Sequence, residues 1–108
     1  MEQLDYSIEF LPIAYCDLQE AISSYTMFGS KKGAERIIEK VKKCLTQLQT
    51  FPYSGVVVPD EKLAKSGYRM YVIEKYILFY TIKESDKKIY IGRFLNAKRK
   101  YSDLFNNI

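Results

Sequence analysis

Apolar and polar residues alternate over residues 6–11, YSIEFL, and then the period changes. The alternating stretch is rich in β-formers and predicts a short first strand. From Pro12 onward Tyr15, Leu18, Ile22 and Tyr25 recur at helical spacing and form one apolar stripe. Pro12 suits the first turn of that helix, where a missing N–H costs nothing. Gly29 is its expected stop, and Ser30 the cap of a second helix running to about Gln49. On this second helix Ile37, Val41, Leu45 and Leu48 share a buried face, while Lys40, Lys42 and Lys43 fall mostly on the solvated side. The short connection makes the pair an antiparallel hairpin, and Pro52 bars helical continuation through Phe51.

Residues 55–66, GVVVPDEKLAKS, have no clear period and read as a long connection, a kind of segment that is often functional in a compact domain. Three strands follow at 68–74, 76–82 and 88–96, joined by short turns at Glu74-Lys75 and Ser85-Asp86, which makes an antiparallel meander. The middle strand is apolar on both faces and should be central. The expected fold is α+β in the order β-α-α-β-β-β, a helix hairpin packed on a mainly antiparallel four-stranded sheet. It forms a single domain over residues 1–108, a length that supports one core.

Composition narrows the chemistry. The chain has no histidine, which removes His-based triads and acid/base pairs. There is no Gly-rich phosphate loop, no Cys/His cluster for zinc and no usefully spaced carboxylate pair, so neither cofactor nor metal is expected. A catalytic cysteine would lack its usual basic partner. Cys16 and Cys44 are too few for a disulfide scaffold and read as buried or idle thiols, with a bridge between neighbouring helices open but disfavoured. No apolar run is long enough to span a bilayer, and the acidic start MEQLDYSIEF is unlike a signal peptide, so a cytoplasmic protein is expected.

The net charge of +4 is unevenly spread. Residues 1–30 hold Glu2, Asp5, Glu9, Asp17 and Glu20 and no Lys or Arg, whereas residues 87–102 hold six cations and no acid. Lys87 and Lys88 are accounted for by a hairpin turn. The remaining cations point to an anionic partner, nucleic acid or an acidic protein segment. Candidate residues are therefore Arg69 at the start of one strand, Arg93 near the end of another, and Lys98, Arg99 and Tyr101 beyond it. Arg69 opens the first meander strand and the tail follows the third, which runs the same way, so the two groups lie at opposite ends of the sheet unless the tail folds back. Arg93 alternates with Ile89, Ile91 and Leu95, and either meets phosphate or pairs its head with an acid such as Glu9 or Glu20.

Taken in order, FLPIAYCDLQEA, LQTFPYSG, LAKSGYRMYVI, YILFYTI and IYIGRFLNAKRKYSDL resemble the RelE/ParE superfamily of toxins of type II toxin–antitoxin modules, over nearly the whole chain from Tyr6 to Leu104. The resemblance implies a growth-inhibiting protein of the plasmid-stabilisation type, held inactive by a small cognate antitoxin encoded beside it. RelE-like members cut mRNA on the ribosome as metal-independent endoribonucleases, while ParE-like members poison DNA gyrase without cutting. A third implied class is inactive and only binds antitoxin. For the RNase, arginine would clamp the anionic phosphorus centre, a crowded lysine would move protons, and tyrosine would stack on a base or donate a proton. Arg69, Lys98, Arg99 and Tyr101 match that set, with Glu61, Lys65 and Arg93 as additional candidates. Three positions depart from the RNase pattern: Ile77 and Tyr71 stand where relatives carry Arg or another basic residue, and Asn96 where some carry His. The basic–Tyr tail tilts the expectation toward ribosome-dependent mRNA cleavage over gyrase poisoning.

Overall fold

A computed structural model of the chain describes residues 5–99. The first strand, β1 (Ser7–Phe10), leads into α1 (Pro12–Met27), which has its proline at the helix start. Gly29 closes the turn with a positive φ of 75°, and the Ser30 hydroxyl accepts from the Gly33 N–H to cap α2 (Lys31–Thr50). Ile37, Val41 and Leu48 are buried as their spacing requires, together with Cys44. Of the expected α1 stripe, Leu18, Ile22 and Tyr25 pack half-buried against the core and Tyr15 is exposed, while the small residues Ala14 and Ala21 are the fully buried positions of the helix.

The sheet has five strands where four were expected, in the order β1-β5-β4-β3-β2. The extra strand, β2 (Val56–Val57), lies in the segment read as a plain connection, and so does a short helix, α3 (Glu61–Lys65). The Asp60 carboxylate starts α3 by accepting from the Leu63 N–H. The meander is as expected: β3 (Arg69–Ile73), β4 (Tyr76–Lys83) and β5 (Lys88–Asn96) pair antiparallel, with β4 central. By contrast, β1 adds to the far side of β5 in parallel.

Two cores result. The helix hairpin covers one sheet face, where Ile37, Val41 and Leu48 meet Leu78, Tyr80, Ile89 and Ile91. On the other face Val58 and Leu63, brought by the 55–66 segment, cover Ile77, Phe79 and Leu95. This second core explains why β4 is apolar on both faces. It also explains Ile77, which is buried there, where an arginine would lose its solvation.

Candidate functional site

The candidate residues fall into three places. Arg69 begins β3 opposite Tyr80 of β4, on the helix-hairpin side of the sheet. Its guanidinium turns beneath the α2–β2 connection, where Nη2 donates to the carbonyls of Tyr53 (3.1 Å) and Gly55 (2.8 Å). The same guanidinium lies 5.2 Å from the centre of the Tyr53 ring. Tyr80 works beside it: its hydroxyl donates to the Pro52 carbonyl (2.8 Å) and accepts from the Gly55 N–H (3.1 Å). Glycine is required at position 55, since a Cβ there would come within 2.5 Å of the Met70 carbonyl and 2.6 Å of the Tyr80 hydroxyl. The FPYSG turn is thus clamped to the sheet by Arg69 and Tyr80.

Beyond the clamp, Glu84 receives hydrogen bonds from the hydroxyls of both Tyr53 and Tyr6, the latter at 2.6 Å. These bonds hold the Glu84 carboxyl below the usual carboxylate range and raise the Tyr53 phenol. Sequence reasoning missed this cluster. The only signal for it is the tyrosine of FPYSG.

The tail residues sit at the other end. Asn96 pairs with Tyr76, whereas Arg69 pairs with Tyr80, four positions along the same strand. With two strand spacings between them, Arg69 and Asn96 are roughly 16 Å apart. Beyond β5 the chain turns sharply. The Ala97 N–H donates to the Lys75 carbonyl (2.7 Å), and the Asn96 side chain accepts from the Lys98 N–H (2.9 Å). Asn96, which occupies the position of a histidine in some RNase relatives, is here the residue that turns the tail. Lys98 and Arg99 are exposed, and Arg99 borders a cleft of about 220 Å³ shared with Glu20, Ser24, Tyr76 and Asn96. Tyr101 lies outside the described residues.

Arg93 lies near the tail yet points elsewhere. Its Nε and Nη2 donate to the two carboxylate oxygens of Asp17 at 2.8 and 3.1 Å. Asp17 also accepts from the Phe94 N–H (3.0 Å), so it covers the part of the β5 edge that the shorter β1 leaves unpaired. The acid is therefore Asp17 rather than Glu9 or Glu20, because α1 crosses this edge. Glu9 instead meets Lys88 at 3.3 Å. Both partners of the Arg93–Asp17 pair are close to one-tenth exposed, so the pair is architectural.

Glu61 and Lys65 form the third place. They pair with each other at 3.3 Å on the exposed side of α3, on the sheet face opposite Arg69. Cys44 is buried, and burial pushes its thiol up to about 12, where it is inert. Cys16 is exposed and unbridged. Among the described residues no group of His, Cys, Asp and Glu is placed to hold a metal, and no helix is long and apolar enough to cross a membrane.

Comparison with known proteins adds the lineage. The fold is similar to the chromosomal ParDE toxin–antitoxin system from P. aeruginosa, with a TM-score of 0.69 at 19% identity over 89% of this chain and 100% of that one. It is also similar to the toxin–antitoxin complex RelBE2 from Mycobacterium tuberculosis, with a TM-score of 0.54 at 21% identity over 85% of this chain and 98% of that one. Likenesses at such identity establish the fold alone. No curated protein sequence matches the chain. The family described as the ParE toxin of the type II toxin–antitoxin system parDE matches residues 8–101. That match spans most of the sequence, and the chain belongs to this family of type II toxins.

Proposed function

We propose that the protein arrests growth as a ParE-like poison of DNA gyrase, acting in the cytoplasm without cleaving RNA and held in check by a cognate antitoxin. The observation that carries this reading is the dispersal of the described members of the predicted RNase set. Phosphoryl chemistry without a metal depends on several charged groups converging on one phosphorus. Here Arg69 donates to two backbone carbonyls at one end of the sheet, Arg93 is paired with Asp17, and Glu61 and Lys65 lie on the opposite sheet face. Lys98 and Arg99 face solvent side by side at the opposite end from Arg69. A binding poison needs a surface and no acid/base pair, and the family match to ParE agrees with that demand.

The test is gyrase-dependent supercoiling of relaxed plasmid by the purified toxin and gyrase. Inhibition, with accumulation of cleaved DNA and relief by added antitoxin, is the expected result. Undisturbed supercoiling at toxin concentrations that arrest growth would overturn it.

One observation favours a second reading. Lys98 and Arg99 leave the end of β5 as an exposed basic pair, next to a cleft lined by Tyr76, Asn96 and Ser24. Such a surface suits an RNA backbone and an unstacked base, as ribosome-dependent mRNA cleavage would require.

A further inference from the structure

The two ends of the sheet differ in how their lysines are paired. Where β4 ends and β5 begins, Lys83 meets Asp86 (3.3 Å), Lys87 meets Glu84 (3.8 Å) and Lys88 meets Glu9 (3.3 Å). At the opposite end three elements come together. The Lys75 ammonium lies over the rings of Tyr25 (5.1 Å) and Tyr76 (5.8 Å), which joins the β3–β4 turn to the α1–α2 hairpin. The bond from the Ala97 N–H to the Lys75 carbonyl (2.7 Å) brings the exit of β5 beside them. Lys31 and Lys32 at the start of α2, Lys75, Lys98 and Arg99 are all exposed at this end, and none of them makes an ion pair among the described residues.

Local physics does not favour these residues where they stand. Lys31 and Lys32 occupy the first turn of α2, which holds no acid, so they face the positive end of the helix dipole. Met27 and Phe28 close α1 at 81% and 84% exposure, more than any other large apolar side chain described. Gly29, with its positive φ, and the bond from the Ser30 N–H to the Tyr25 carbonyl (2.9 Å) fix the turn that presents them. Ill-placed charge and ill-placed apolar surface on one well-built turn mark a surface that meets a partner.

The chemistry of the surface selects the partner. Its cations stand on three separate elements, so a small anion cannot meet them all, whereas an extended polyanion can. Opposing acids are few: Glu74 is held by Arg36 (2.8 Å) and Lys40 (2.9 Å), which leaves Glu20 beside the Arg99 cleft and Glu35 on α2. The apolar part is a narrow wedge, since Ser23, Thr26 and Ser30 flank Met27 and Phe28. A lipid surface takes up a long apolar helix face. A short Phe or Met wedge instead enters between base steps from the DNA minor groove, with cations on the adjoining phosphates.

We infer that this end of the toxin binds duplex DNA directly, with Lys31, Lys32, Lys75, Lys98 and Arg99 on phosphates and Met27 and Phe28 against the minor groove. Contacts to phosphate position a protein on the duplex and carry no sequence information, so the binding is indifferent to sequence. DNA contact goes beyond gyrase poisoning and does not depend on it, because the duplex is bound without gyrase.

The experiment titrates the purified full chain into a short fluorescent DNA duplex of arbitrary sequence and reads anisotropy. Affinity should fall at least tenfold between about 50 and 200 mM salt. Lys31→Glu/Lys32→Glu should weaken binding at least tenfold while unfolding at the same or a higher temperature, since acids suit the start of α2. Phe28→Ser should weaken it at least threefold, and an unchanged affinity would overturn the wedge. Lys83→Glu/Lys87→Glu makes the same change of charge at the paired end and should leave affinity within threefold. Absence of binding at low salt would overturn the inference, as would equal losses from reversal at either end, because net charge alone would then account for the affinity. Preference for phosphatidylglycerol vesicles, or for an RNA duplex of the same sequence, would overturn the assignment to DNA. Gyrase is absent from every arm, so DNA binding and gyrase poisoning can fail separately.

Discussion

The two ends of the sheet carry the same kinds of residue and use them in opposite ways. At the end where β3 begins, Arg69 donates to two backbone carbonyls and lies over the Tyr53 ring. Its charge is spent on holding the FPYSG turn. At the end where β5 stops, Lys98 and Arg99 project from a turn built by Asn96, and their charge is available to a partner. Between the two, Arg93 is locked onto Asp17. An arginine in a basic toxin is thus a ligand for phosphate only where the backbone has not claimed it first.

The largest expected effect is on the element between the ends. Asp17→Ala strands Arg93 in a nearly dry site and frees the Phe94 N–H, and should cost about 3–5 kcal/mol in urea unfolding. A loss below about 1 kcal/mol would mean the pair is solvated and Arg93 is available for binding after all. Next is Gly55→Ala at the clamped end. A methyl group within 2.5 Å of a backbone carbonyl cannot be relieved by moving a side chain, so destabilisation of about 1–3 kcal/mol or more should follow. Arg69→Met should cost about 2 kcal/mol, the range for bonds from a charged donor to backbone carbonyls. Growth arrest per folded molecule should nevertheless persist, and its abolition in a folded Arg69→Met protein would break the contrast between the ends.

A smaller effect depends on pH. Hydrogen bonds from Arg36 and Lys40 hold the Glu74 carboxyl well down, at about 2. A depressed carboxylate contributes stability above its unfolded value and loses it as pH falls through the folded one. Stability should therefore decline between about pH 4.5 and 2, and Glu74→Gln should flatten that part of the curve. The slope will be shallow because Arg36 and Lys40 are half exposed. Smallest of all in stability terms is Lys98→Ala/Arg99→Ala, expected within about 0.5 kcal/mol of the parent. Those same two changes should weaken growth arrest, so the tail end separates function from folding where the clamped end does not.

Much of this was legible in the sequence. Periodicity gave both helices and the meander, and Gly29, Ser30 and Pro12 marked their ends. The two-residue β2 was not legible, because a pair of exposed valines carries no period. The five-residue α3 is too short for periodicity, although Asp60 ahead of Glu61 is an N-cap signal that could have revealed it. The parallel placement of β1 beside β5 depends on contacts about 80 residues apart, which no local pattern encodes. At the site, residue types were readable and partners were not. The opposition of Arg69 to the tail followed from strand direction alone. That its Nη2 donates to the carbonyls of Tyr53 and Gly55 could not be read, since every residue has a carbonyl. The choice of Asp17 for Arg93 came from the path of α1 across the β5 edge, which spacing does not specify.

The most direct test of the account is mRNA 3′-end mapping on translating ribosomes given the purified toxin, with ribosome-free mRNA alongside. The dispersed cations predict no new ends at concentrations that arrest growth. New ends confined to the ribosomal A site, lost in a folded Arg69→Met variant, would contradict the assignment of Arg69 to architecture and restore the RNase reading.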